Sequence, residues 1–143
     1  MTSRFAAEKR SNVRGVDLAA LVADTSPYGA RWSIDVRDLD ADEHWSYQPD
    51  ELLGTASVAK VFALVEAAAR MADGTLEPGE LLDRRSVGAV ADSGLWQHLT
   101  ADRLPVVDVA TLIGAVSDNW ATNVLVERLG LDTVRQRAST LAP

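Results

Sequence analysis

The feature that most constrains this chain is an apolar run, Thr55 to Asp73, with no internal glycine or proline and a glycine, Gly74, directly after it. Ala, Val and Leu dominate the run and favour a helix, and Gly74 suits the left-handed residue that ends many helices. The helix is apolar around most of its circumference, so burial among several other elements is expected. Near its start sits Lys60, one of only two lysines among fourteen basic residues.

The rest of the chain reads as an α+β arrangement in one domain. Val13 to Asp24 has apolar residues at 13, 16, 18, 21 and 22, the spacing of a short amphipathic helix, and Ser26, Pro27 and Gly29 break it. From Ala30 to Leu39, Trp32, Ile34 and Val36 alternate with Ser33, Asp35 and Arg37, as in a strand. A turn over 38–43 returns the chain along His44 to Gln48, giving a hairpin over 30–48. Thr75 to Ala91 reads as loop, Asp92-Ser93-Gly94 as a turn and Leu95 to Leu99 as a short apolar segment. Asp108 can cap a helix from Val109 to Val116. Ser117-Asp118-Asn119 interrupts the pattern, Trp120 to Leu129 resumes it as far as Gly130, and Asp132 can cap a last helix from Thr133 to Ser139. Residues 55–143 thus form a helical subdomain beside the amino-terminal hairpin.

Charge and composition exclude several functions. A net charge of −7 argues against nucleic acid, whose phosphates call for Lys and Arg patches. The absence of cysteine removes disulfides and thiolate metal sites. His44 and His98 lie far apart, and nothing predicts carboxylates converging on either, so no metal and no cofactor are expected. No run is long enough to span a membrane. Residues 1–14 are polar and charged, and Asp17 interrupts the first apolar stretch, so no secretory signal is read and the chain as given is expected to be cytoplasmic or already trimmed.

Two short motifs carry chemistry. Ser57-Val58-Ala59-Lys60 is S-x-x-K, and Ser117-Asp118-Asn119 is S-D-N. A serine hydroxyl is a poor nucleophile until a base takes its proton. Residues i and i+3 share a helix face, so Lys60 can approach the Ser57 hydroxyl. Val58, Ala59, Val61, Phe62 and Leu64 are expected to desolvate the amine, which disfavours a charged lysine. Arginine cannot serve as such a base, which accounts for a lysine in an arginine-rich chain. The Ser57 N–H, in the first helical turn, is free to face a developing oxyanion. Ser117 can relay a proton to a leaving group, and Asn119 can hold the lysine or a substrate carbonyl. Asp118 reads as structural, accepting backbone hydrogen bonds where the next helix starts.

The plain alternatives are a capping serine at 57, a Lys60 that snorkels to solvent, and a capping turn at 117–119. By composition, S-x-x-K arises by chance with expectation about 0.14 and S-D-N with about 0.02, so only the pair is informative. Trp32 and Trp45 fit strand packing, and Trp96 fits the core. Trp120, directly after Asn119, is a candidate wall of a substrate cleft. His98 reads as structural.

Together these residues resemble the class A β-lactamases and the wider serine β-lactamase-like family, whose signature includes S-x-x-K and S-D-N. Gly54-Thr55-Ala56-Ser57-Val58-Ala59-Lys60-Val61 is similar to the family's nucleophile helix. The 60-residue step from Ser57 to Ser117 matches the family's separation of these serines. Ser117-Asp118-Asn119-Trp120-Ala121-Thr122-Asn123-Val124-Leu125 resembles its S-D-N loop and following helix. Asp92-Ser93-Gly94-Leu95-Trp96-Gln97-His98-Leu99 resembles the G-S-G-x-L segment of actinobacterial-type members, with Asp for the first Gly. The hairpin at 30–48 resembles the first two strands, and the similarity runs from about Val13 to the end.

The resemblance implies a partial β-lactamase/transpeptidase-like fold and acyl transfer on a small β-lactam or ester, by a monomer. Ser57 is then the nucleophile and Lys60 the proton acceptor, with Ser117 the relay and Asn119 and Trp120 contacts to substrate. The chain departs from the family in having no K-T-G. After Asn119 its only acids are Glu127 and Asp132, neither matching the family's deacylating Glu. Leu141-Ala142-Pro143 reads as an interruption. The expectation is an amino-terminal portion of such an enzyme, weak or inactive in turnover. An esterase or peptidase of the same fold, or a non-catalytic remnant or interaction module, is the alternative.

Overall fold

A computed structural model describes residues 12–13, 16–17, 20, 22–23, 29–90 and 93–141. The chain divides into two compact units, Met1–Gly54 and Thr55–Pro143.

In the first unit the start of the predicted helix at 13–24 is corrected. Strand β1 (Asn12–Val13) pairs antiparallel with β2 (Val16–Asp17), Val13 facing Val16. Valines favour a pleated backbone, and Gly15 between them costs a helix about 1 kcal/mol relative to Ala. Asp17 then accepts the Ala20 N–H at 3.0 Å, the reach of a helix cap. Ala20, Val22 and Ala23 are helical, while Leu18, Ala19, Leu21, Asp24, Ser26 and Pro27 lie outside the described residues.

The hairpin is formed by β3 (Ile34–Asp38) and β4 (Glu43–Tyr47). Ile34 faces Tyr47 and Val36 faces Trp45 on the half-buried side, while Asp35, Arg37, His44 and Ser46 are exposed. The strict alternation sets this register, since a slip of one residue would turn every apolar side chain outward. Asp38 closes the turn by accepting the Asp40 and Ala41 N–H groups at 3.0 and 3.1 Å. His44 Nε2 lies 2.8 Å from Asp35 Oδ2.

In the second unit a 3-10 turn, Ala56–Ala59, leads into helix α1 (Lys60–Ala72). Asp73 ends it, and Gly74 takes φ +77°, a conformation that favours glycine. Two short strands follow, β5 (Leu81–Asp83) and β6 (Arg103–Pro105), paired antiparallel with Leu82 facing Leu104. Between them, Arg84–Ser86 and Trp96–His98 form single 3-10 turns. The chain continues through α2 (Val106–Val116), α3 (Asn119–Leu129) and α4 (Leu131–Leu141).

Three sequence expectations change here. The predicted loop at 75–91 contains β5, because a three-residue strand is too short to show alternation. It is held by the buried Leu82 and by a cross-strand Arg103–Asp83 ion pair at 3.1 Å. Helix α2 starts at Val106 rather than Val109, with Pro105 as its cap and Asp108 in the first turn, where an acidic side chain is favoured. Helix α1 is buried along one side only. It packs on α2, α3 and α4 through Ala63, Glu66 and Ala67, while Val58 and Val61 remain 73% and 46% exposed.

The core of this unit gathers Ala63 and Ala67 of α1, Val106, Val109 and Ile113 of α2, and Ala121, Val124, Leu125 and Leu129 of α3. These residues recur at steps of three and four, so each helix turns one stripe inward. Val134 of α4, Leu82 of β5, and Leu76 and the fully buried Trp96 from the connecting segments complete the core.

Candidate active site

The site forms where α1 begins and α2 gives way to α3. Helix α2 ends because Ser117 adopts φ +56°, ψ +39°, a left-handed conformation costing a non-glycine residue roughly 1 kcal/mol. The Ser117 and Asp118 N–H groups cap the carbonyls of Ile113 and Leu112 at 3.0 and 3.3 Å. With this turn, both the carbonyl and the hydroxyl of Ser117 meet Lys60.

Lys60 Nζ donates to Ser117 O at 2.6 Å, Ser117 Oγ at 2.9 Å and Asn119 Oδ1 at 2.6 Å. These three acceptors match the three N–H donors of an ammonium. All are neutral; no carboxylate is among them. Lys60 therefore does not snorkel away but bridges the start of α1 to the 117–119 turn. Lys60, Ser117 and Asn119 are half-buried.

Ser57 lies on the exposed 3-10 turn, three residues ahead of Lys60, directly after Ala56, which takes φ +44°. Among the described residues its hydroxyl makes no hydrogen bond, to Lys60 or to any other group. Of the residues expected to desolvate the amine, Val58, Ala59 and Val61 are exposed and Phe62 and Leu64 half-buried. Shielding of Lys60 comes from the 117–119 turn instead.

Asp118 holds that turn from behind. It is 1% exposed, and its Oδ1 accepts the Ala121 N–H at 2.9 Å, capping α3. Its Oδ2 accepts the Leu95 and Trp96 N–H groups at 2.7 and 2.8 Å. The Asn119 N–H donates to Ser93 O at 3.0 Å. Segment 93–96 is thus fastened to the turn by three hydrogen bonds. Gly94 is required for this approach: it takes φ +127°, and a Cβ built on it would stand 2.3 Å from the Asp118 carboxyl carbon. The sequence singled out Asp118 as structural but gave no sign of the Gly94 contact. Asp92, the first residue of the predicted turn, lies outside the described residues.

Trp120 donates its indole N–H to Arg84 O at 2.8 Å, and the Arg84 guanidinium covers the ring 5.0 Å from its centre. Its polar contact is with Arg84, not with Lys60, Ser117 or Asn119. His98 is exposed. No group of three His, Cys, Asp or Glu gathers as a metal site among the described residues.

Sequence reasoning also missed a second ionic centre on α1. Glu66 is 4% exposed and binds Arg70 Nε and Arg137 Nε, each at 2.8 Å. Arg70 also donates to Leu129 O at 3.2 Å. The Arg137 hydrogen bond is the main reason the Glu66 carboxyl lies below its ordinary value; burial opposes it and Arg70 assists. A lone acid within an apolar helix was the available signal.

Residues 16–142 match the model of a family described as the β-lactamase enzyme family. The chain belongs to that family. Solved structures agree in fold. The β-lactamase from Sphaerobacter thermophilus is 28% identical with a TM-score of 0.76, over 87% of this chain and 47% of its own. An ancestral class A β-lactamase is 21% identical with a TM-score of 0.74, over 87% of this chain and 48% of its own. PBP-A is 23% identical with a TM-score of 0.71, over 86% of this chain and 49% of its own. No curated protein matches by sequence. The fold is therefore a partial class A β-lactamase fold, mostly helical with a few strands. This β-lactamase-family chain spans about half the length of the structures it matches. No helix among its described residues is long and apolar enough to cross a membrane.

Proposed function

We propose that this chain carries the acylating groups of a serine hydrolase acting on β-lactams. The observation behind the proposal is the meeting of Lys60 Nζ with Ser117 and Asn119, residues 57 and 59 positions away. In the proposed step the Ser57 oxygen attacks the lactam carbonyl carbon. Lys60 acts in this step as the free amine, whose two N–H groups keep two of the three acceptors while its lone pair takes the Ser57 proton. The carbonyl carbon–nitrogen bond then breaks, Ser117 gives its hydroxyl proton to the departing nitrogen and takes in return the proton that Lys60 gained from Ser57, and an ester to Ser57 remains. Asn119 holds Lys60 and orients the substrate amide. Trp120, through its place after Asn119, is proposed to back the cleft wall rather than to touch the reacting atoms. Hydrolysis of the ester calls for a base that activates water, and among the described residues no carboxylate is a Lys60 partner, so slow release is expected.

The exposed, unbonded Ser57 hydroxyl and the neutral acceptors around Lys60 both suit this reading. An ester carbonyl presents the same electrophile, so p-nitrophenyl esters form the comparison series. The test is intact-protein mass spectrometry after incubation with a labelled penicillin. The wild-type chain is expected to gain one penicillin mass on Ser57, and Ser57→Ala none. Equal labelling of the two proteins, or none of either, overturns the proposal in favour of a non-catalytic module.

A further inference from the structure

We propose that Arg84 is a positioning residue for Lys60, acting through Trp120 and Trp96. This rests on the reading of Lys60 as part of the reactive site. Arg84 lies in the 3-10 turn after β5, and its side chain is only 14% exposed. Its guanidinium serves four partners at once. It donates to Trp96 O, to Leu99 O at 3.1 Å and to Asp102 Oδ1 at 3.0 Å, and it covers the Trp120 ring. Its backbone carbonyl meanwhile accepts the Trp120 indole N–H.

The consequence is a closed ring of contacts around the 117–119 turn. Trp120 ties the first turn of α3 to Arg84, and Arg84 ties Trp96 by its carbonyl. Trp96 ties back to Asp118 by its N–H, and Asp118 flanks both residues that hold Lys60. Asp118 grips the turn from one side, and Arg84 sets where Trp120 and Trp96 stand on the other. Displacing either tryptophan moves Ser117 and Asn119, and with them the Lys60 amine. Displacements of about 1 Å in such a constellation cost rates on the order of a hundredfold. The planar fork of arginine is needed, because one lysine point charge cannot serve the two carbonyls, the carboxylate and the indole face together.

The chain offers a direct readout, since Lys9 and Lys60 are its only lysines. With 13C-labelled lysine, two side-chain signals are expected in the full chain, and only that of Lys60 reports the site. Arg84→Gln is expected to shift or broaden the Lys60 signal while leaving that of Lys9 in place. Trp120→Phe, which keeps the ring but removes the N–H to Arg84, is expected to do the same in smaller measure. Leu76→Ala, a core truncation outside the ring of contacts, serves as the control for general loosening and should leave the Lys60 signal unmoved. Labelling of Ser57 by penicillin should slow about tenfold or more in Arg84→Gln. An unmoved Lys60 signal in folded Arg84→Gln, or an equal shift in Leu76→Ala, overturns the proposal. If Arg84→Gln does not fold, the same readings on Trp120→Phe decide. A shifted Lys60 signal in a chain whose wild type takes no penicillin leaves Arg84 as the positioning residue and removes only the hydrolase reading.

Discussion

Helix α1 carries two ionic centres six residues apart, and they are built on opposite plans. Glu66 is buried between two guanidiniums, so its charge is more than matched. Lys60 is half-buried, and its partners among the described residues are neutral oxygens. Opposite charges on both sides tie α1 to α4 and leave Glu66 little reason to exchange a proton near neutral pH. Neutral acceptors hold an amine in place without committing its charge to a partner. On the proposed function, one helix separates fastening from chemistry, and the kind of partner, not the depth of burial alone, distinguishes the two.

The largest expected effect comes from changing the chemistry of the Lys60 centre while keeping its charge. Lys60→Arg should slow penicillin labelling of Ser57 by about 10²- to 10⁴-fold, the usual worth of a proton-transfer group, with little change in melting temperature. Labelling within threefold of wild type would show that positive charge suffices and would erase the contrast with Glu66. Rates by quenched mass spectrometry and melting by circular dichroism together check it.

Next in size is the fastening centre. Glu66→Gln keeps the shape but strands two arginines beside the core, and a loss of about 1–3 kcal/mol is expected in urea unfolding. Both arginines reach solvent, at 24% and 37% side-chain exposure, which keeps the loss below that of a fully enclosed pair. An unfolding midpoint equal to wild type would mean that the triad contributes nothing to stability.

The smallest effect is its pH dependence. Because the Glu66 carboxyl is lowered in the folded chain, its contribution is fully present above the ordinary glutamate range and is lost as pH falls through the folded value. The stability gap between wild type and Glu66→Gln should therefore hold at neutral pH and close on acidification below about pH 4. Lowered carboxyls at Asp73, Glu80 and Asp83 titrate in both proteins, so the difference between them isolates Glu66. A gap that widens in acid would reverse the assigned sign.

What could be read from the sequence follows the range of the forces involved. The hairpin alternation, the long helix stopped at Gly74 and the break at 117–119 are local patterns, and each maps to an element within a few residues. The convergence of Lys60 with Ser117 and Asn119 was accessible only because two motifs coincide. Glu66 with Arg137, Arg84 with Trp120, and Gly94 with Asp118 join positions 71, 36 and 24 residues apart, and no periodicity announces them. The exposure of Val58 and Val61 was equally hidden. An apolar sequence records that a face can be covered, not which element covers it.

The left-handed residue closing α2 has one more consequence. Two of the three oxygens that grip the Lys60 amine belong to that single residue. A modest peptide rotation there would loosen both grips in concert, leaving only the Asn119 amide. Release of the amine is thus geared to one backbone hinge, and a glycine at position 117 would relax the hinge while also deleting one of the two grips.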